Sequence, residues 1–194
     1  MTTIQGYIFD CDGTLTDSMP LHYVAWNKTM SDHGIEFSED RFYALAGMPT
    51  EKIIQLLSQE QGISVNPLLA SQQKEQAFMS LIDQLQPIEP VISKARSLTG
   101  RSPISVASGG TREAVLAQLQ QIEMCDVFQI IVTAEDTDLH KPEPDAFLKA
   151  ADLMQVEPCA CCVYEDSDLG IQAAEAAGMQ WVDVRTFHTP RRIT

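Results

Sequence analysis

Five short apolar stretches punctuate the chain: Tyr7-Ile8-Phe9, Ile104-Ser105-Val106-Ala107, Ile130-Ile131-Val132, Cys162-Val163-Tyr164 and Trp181-Val182-Asp183-Val184. They are β-rich and nearly continuous rather than alternating, the pattern of strands covered on both faces. From the second onward, segments with apolar residues every three or four positions separate them, at Thr111 to Ile122, Pro144 to Met154 and Leu169 to Ala177. Strands alternating with helices predict an α/β fold with a doubly wound parallel sheet, in which ligands bind beyond the carboxyl ends of the strands.

The stretch from Thr16 to about Gln86 breaks this alternation. It is helical in pattern at Leu21 to His33, Glu51 to Glu60 and Leu68 to Leu85, and contains no clear strand. Coming directly after the first strand, it reads as a small helical cap able to close over the strand ends. Pro87 and Pro90 mark the return of the chain to the sheet. The expected organisation is an α/β catalytic core formed by residues 1–15 and 87–194, with residues 16–86 as the cap.

Composition changes this picture little. The 194 residues are 44% hydrophobic and 21% charged, as expected of one globular unit with a smaller insertion. The balance of 13 basic against 27 acidic side chains leaves a formal charge of −14. That surface repels phosphodiester polymers and argues against nucleic acid as a partner. No apolar run is long enough to span a bilayer, and the opening MTTIQGYIFDCDG lacks the basic start of a signal peptide. A cytoplasmic monomer, without membrane association, is expected. The five cysteines are odd in number and suggest no disulfide framework. Cys159-Ala160-Cys161-Cys162 lacks a second ligand pair for zinc and runs into an apolar strand.

Polar clusters follow four of the strands: Asp10 and Asp12, then Ser108-Gly109-Gly110, then Lys141-Pro142, then Glu165-Asp166-Ser167. Read singly, each has an ordinary explanation. The aspartates suit a turn, either serine suits a helix cap, and the lysine suits a solvated charge before an N1 proline. In a parallel sheet, however, all four clusters meet along one edge. Four carboxylates crowded there repel, at about 4 kcal/mol for a single pair 4 Å apart in an effective dielectric of 20. One lysine does not offset that, so a divalent cation is implied, and oxygen-only ligands favour Mg²⁺. A metal, a lysine and a serine hydroxyl describe a phosphoryl pocket. Within it Asp10 can attack phosphorus, Asp12 can shuttle the leaving-group proton, and Gly13 lets the chain turn away sharply.

"FDCDGTLTDS", "VASGG", "HKPEPDAF" and "YEDSDLGIQAAEAAGM" resemble the four motifs of the haloacid dehalogenase-like hydrolase superfamily. The likeness covers essentially the whole chain. The insertion is similar to the cap of its β-phosphoglucomutase-like branch, and the chain looks most like the small bacterial fructose-1-phosphate phosphatase type. The resemblance implies a Rossmann-like core and Mg²⁺-dependent hydrolysis of a small phosphorylated sugar. It implies that Asp10 is the nucleophile and that Asp12 is the acid/base, which also lends a backbone carbonyl to the metal. Ser108, with Gly109 and Gly110, would bind phosphate, and Lys141 would restrain nucleophile and phosphate. Asp166 would be the metal carboxylate, with Glu165 a ligand or its neighbour. In the cap, His22 and Trp26 match positions that face the substrate, and their i, i+4 spacing puts them on one helix face. For Trp26 the competing reading is core packing. Mutases of this branch carry cations where Thr50 and Thr111 fall, which favours hydrolysis here; a phosphosugar mutase, with Arg112 or Lys52 substituting, is the alternative. A receiver-like signalling domain is remote, because its acidic pair and its phospho-acceptor follow different strands.

Overall fold

The computed structural model describes residues 3–193. Its centre is a sheet of five parallel strands: β1 (Gly6–Phe9), β2 (Ile104–Ala107), β3 (Ile130–Val132), β4 (Cys161–Glu165) and β5 (Gln180–Asp183). Their spatial order is β3-β2-β1-β4-β5. The chain therefore builds outward from β1 to β3, then returns to β1's other side to lay down β4 and β5. Such a reversal leaves a crevice at the carboxyl ends of the strands on either side of it, here β1, β2 and β4.

Side-chain alternation along β1 explains why both sheet faces are dry. Phe9 points to one side, where α5 (Glu89–Leu98) and α6 (Arg112–Gln121) contribute Val91, Ile92, Ala95, Val115 and Leu119. Ile8 points to the other, against Phe147, Ala150 and Ala151 of α7 (Asp145–Met154) and Ala173 and Ala174 of α8 (Asp168–Ala176). The alanines let α7 and α8 approach the sheet closely. Side-chain oxygens start four of the α-helices: those of Ser38, Asn66, Thr111 and Ser167 accept from the backbone N–H of Arg41, Leu69, Ala114 and Gly170. The expected strands and core helices lie within one residue of the observed bounds at nearly every end.

Between β1 and α5 lie the helices of the insertion expected to form the cap, α1 (Met19–Asp32), α2 (Glu39–Ala44), α3 (Thr50–Gln61) and α4 (Pro67–Met79). They share their own apolar cluster, including Trp26, Met30, Phe37, Phe42, Ile54 and Leu57. One expectation needs correction. The periodicity from Leu68 to Leu85 is not one helix: α4 ends at Met79, and Ile82–Gln84 forms a separate 3-10 turn. The Ser80 hydroxyl donates to the Ala77 carbonyl at 2.7 Å, offering the chain a local alternative to helix continuation. The two cap linkers pair with each other through Asp17 N–H to Gln86 O and Ile88 N–H to Leu15 O, both 2.9 Å. Among the described residues no helix is long and apolar enough to cross a membrane.

Candidate active site

The polar clusters converge at the carboxyl edge of the sheet. Lys141 Nζ donates to Asp10 Oδ1 at 2.6 Å and to Glu165 Oε2 at 2.7 Å, joining the ends of β1 and β4 through the loop that follows β3. Its side chain is only 8% exposed. Burial alone would strip the proton from a lysine. Here the Asp10 and Glu165 carboxylates more than offset that and hold the ammonium well above the usual lysine range.

The other oxygen of Glu165 is fully engaged. Oε1 accepts from Ser167 Oγ at 2.7 Å, Ser167 N–H at 3.0 Å and Asp166 N–H at 3.2 Å. Glu165 thus orients Lys141 and the start of α8. Asp166 is less well satisfied, receiving Thr14 Oγ1 at 3.3 Å. Burial, with Glu165, Asp10 and Asp12 nearby, pushes its carboxyl well above the ordinary range. Asp10 is pushed up to about 8 by burial, with Glu165 and Asp12 adding and Lys141 opposing. Negative charge is therefore in excess. Oxygens of Asp10, Glu165 and Asp166 lie within 4.8 Å of one another, a donor set that fits a hard divalent cation. Because Glu165 is committed to four donors, Asp10 and Asp166 are the carboxylates better placed to hold it. Gly13 makes the crowding possible. Its φ is +75°, and a Cβ there would overlap the Asp166 carboxylate.

Asp12 faces the cap. Its Oδ1 accepts from Ser18 Oγ at 2.7 Å and lies 2.7 Å from His22 Nε2. Burial opposes its ionisation, but His22, Ser18 and Lys74 outweigh that and hold it below the usual carboxylate range. The His22 ring stacks on Phe78 with centroids 3.8 Å apart, while its Nδ1 is buried without a hydrogen-bond partner among the described residues. Ser108 Oγ accepts from Gly110 N–H at 3.0 Å. A Cβ on Gly110 would stand 3.3 Å from Ser108 Oγ and 3.4 Å from Asp12 Oδ2, so Ser108 and Asp12 border the same space. Thr111 takes the cap position of α6, leaving the Ser108 hydroxyl outside that role. Gly109 is open to solvent at the same loop.

Trp26 does not join this group. It is 3% exposed and packs edge-on against Phe37 in the cap cluster. The packing reading prevails at this position. Four side chains that the sequence reading passed over do join it: Thr14, Ser18, Lys74 and Phe78. Lys74 is buried, with Nζ 5.6 Å from the Phe78 ring centroid and 5.8 Å from that of Trp26, and it is bonded to Glu75 at 2.9 Å. The available signal was a lysine four residues before a phenylalanine on a helix, one turn away on the same face.

Doubly wound sheet, helical insertion after the first strand, and a lysine shared between acids at the strand ends define an α/β enzyme built to act on an anionic centre. The haloacid dehalogenase-like hydrolase profile matches residues 7–184, and the chain belongs to that family. It is a phosphatase of that family. It is 38% identical to the fructose-1-phosphate phosphatase YqaB of Escherichia coli, over 93% of this chain and 96% of that one. A β-phosphoglucomutase of Bacillus subtilis is 28% identical over 93% of this chain and 83% of its own. The crystal structure of a hydrolase from Pseudomonas syringae superposes with a TM-score of 0.84 at 25% identity, covering 95% of this chain and 87% of that one.

Proposed function

We propose that the protein is a Mg²⁺-dependent phosphomonoesterase that hydrolyses a small sugar phosphate by way of a phosphorylated Asp10. The observation that carries this reading is the 2.6 Å contact between Lys141 Nζ and Asp10 Oδ1, made across 131 positions of sequence inside a cluster with surplus negative charge. Asp10 and Asp166 would hold the cation, together with the Asp12 backbone carbonyl that the family resemblance supplies. When bound, the cation offsets the charge of the phosphate and of the acids around it.

In the first half-reaction an Asp10 oxygen attacks phosphorus, the bond from phosphorus to the sugar oxygen breaks, and Asp12 gives that oxygen its proton. In the second, water attacks phosphorus and returns a proton to Asp12. The Asp10–phosphorus bond breaks, releasing inorganic phosphate and restoring the carboxylate. Lys141 keeps Asp10 in place and offsets charge on the phosphate oxygens, and Ser108 donates to one of them. His22 and Ser18 hold Asp12 ionised in the free protein, the form needed to accept a proton from water. An arriving phosphate dianion raises the Asp12 pKa by like-charge repulsion, favouring the protonated form that the first step needs.

The hydrolase reading is supported over the mutase reading by what occupies the cationic positions of the mutases. The Thr111 side chain accepts from Ala114 N–H, the Arg112 guanidinium is bound to Asp136, and Lys52 is exposed. A second phosphate would therefore find little to hold it. Fructose 1-phosphate, the substrate named for the Escherichia coli relative, is the first candidate, and a hexose with a primary phosphate fits the same chemistry. The test is phosphate release from a panel of hexose and pentose monophosphates with Mg²⁺ and with EDTA. Release should require Mg²⁺ and vanish in Asp10→Asn. Migration of phosphate between sugar positions without net release would overturn the hydrolase reading in favour of the mutase.

A further inference from the structure

The family match ends at Val184, yet the chain beyond it reaches back across the molecule. Past β5 a 3-10 turn, Val184–Thr186, is followed by residues that contact the cap at three points. His188 Nε2 lies 3.2 Å from Asp17 Oδ1, on the linker that enters α1. The Arg192 guanidinium lies 4.0 Å from the centre of the Tyr43 ring, and its Nη1 is 3.4 Å from Asp40 Oδ1. Ile193 N–H donates to the buried Glu39 at 2.9 Å. Glu39, Asp40 and Tyr43 all belong to α2, so a segment anchored on the last strand of the core grips one helix of the cap. The same segment walls a pocket of about 600 Å³. Its lining includes Gly13 and Asp166, and on the cap side Tyr43 to Ala46 and Met48.

We propose that residues 187–193 are a strap that holds the cap over the catalytic crevice, with Arg192 as its positioning residue, and that the strap thereby sets the preference for sugar phosphates over small activated phosphates. This rests on the phosphatase reading. A sugar phosphate requires Asp12 and the cap's His22 to be together at its leaving oxygen, and so requires the cap to be down. The group that leaves acetyl phosphate is a stable carboxylate, so its phosphoryl transfer to Asp10 needs neither. Arg192 acts through Tyr43 and α2 and touches no reacting atom. A ring face and a carboxylate on the same helix suit a planar guanidinium better than an ammonium.

The test compares the full chain with Arg192→Ala and Arg192→Lys, both at a partly exposed side chain. If the strap favours the closed cap, losing it lowers the competent fraction and raises apparent KM in proportion. For fructose 1-phosphate, kcat/KM in Arg192→Ala should fall by roughly 2–10-fold, because a cation–π contact at an exposed side chain and an ion pair to an exposed carboxylate are each weak. The loss should lie in KM, with kcat at saturation nearly kept, because bound substrate itself favours closure. Acetyl phosphate should be hydrolysed as before, and Arg192→Lys should recover part of the loss. Hydrogen exchange supplies a readout independent of turnover: the Asp17 and Ile88 amides, which bond across the linkers, should exchange faster in Arg192→Ala. If no phosphomonoester is hydrolysed by any form, the phosphatase reading fails while exchange still tests the strap. Unchanged linker exchange overturns the strap. Faster exchange with equal losses on both substrates overturns its role in specificity.

Discussion

Replacing Lys141 by methionine keeps the length of the side chain and removes only its charge and its donors. Asp10 and Glu165, held at 2.6 and 2.7 Å by one ammonium, would then share a nearly dry space with no protein cation between them. Breaking a buried ion pair from one side costs about 3–5 kcal/mol, because the partner left behind remains desolvated. For a chain of 150–250 residues each kcal/mol lowers the melting temperature by about 2–4 °C, so Lys141→Met should melt roughly 6–20 °C lower in EDTA. Added Mg²⁺ should narrow that gap, since the cation would neutralise Asp10 from the other side, together with Asp166, and stabilise the folded state by mass action. Turnover should not recover with the melting temperature. An ammonium aimed at charge that develops in the transition state contributes as an oxyanion donor does, about 10²–10³ in kcat. Melting curves with EDTA and across a Mg²⁺ series, beside phosphate release at saturating metal, make the measurement. Equal melting temperatures in EDTA would refute the claim that Lys141 is the cation on which this cluster depends. A gap that widens with Mg²⁺ would refute the claim that metal and lysine share the Asp10 carboxylate.

Three further substitutions probe the remaining assignments. Asp12→Asn should cost about 10²–10⁴ in kcat/KM on sugar phosphates, the usual worth of a positioned proton donor, and much less in kcat/KM on an aryl phosphate whose leaving group needs no proton; because that ratio reports the first half-reaction alone, equal losses in it would remove Asp12 from the acid role. Gly13→Ala puts a side chain at φ +75° and against the Asp166 carboxylate, adding about 1–2 kcal/mol of backbone strain and displacing that acid. The Mg²⁺ concentration for half-maximal activity should rise, and an unaltered metal titration would show that Asp166 is not a ligand. His22→Ala removes the 2.7 Å partner of Asp12 and the ring stacked on Phe78. It should reduce kcat/KM for sugar phosphates while sparing acetyl phosphate, and a uniform loss would reduce His22 to a packing role.

The parts of this molecule that were legible in its sequence are those where one physical requirement leaves one pattern. A strand covered on both faces must be apolar throughout, and Ile8, Phe9, Val106 and Val163, all fully buried, read that way at once. Acids directly behind such strands were legible for the same reason, since nothing in the sheet itself calls for them. The pattern fails where two requirements write the same letters. An aromatic residue at helical spacing looks alike whether it meets a ligand or closes a core, and for Trp26 the cap core prevailed. A helix of six residues, α2, is too short for periodicity to register, yet it is the helix that residues 187–193 grip. The division of labour among the four acids could be taken only from the family resemblance, for a deeper reason: it is set by the donors each one meets, and those come from elsewhere in the chain. Glu165 meets Lys141 and the start of α8, which occupies it. Asp12 meets Ser18 and His22, which keep it ionised and turned toward the cap. Asp166 meets almost nothing, which leaves it free for a cation. Chemically the four side chains are nearly identical, so the roles proposed for them belong to their surroundings, and moving a donor should move a role.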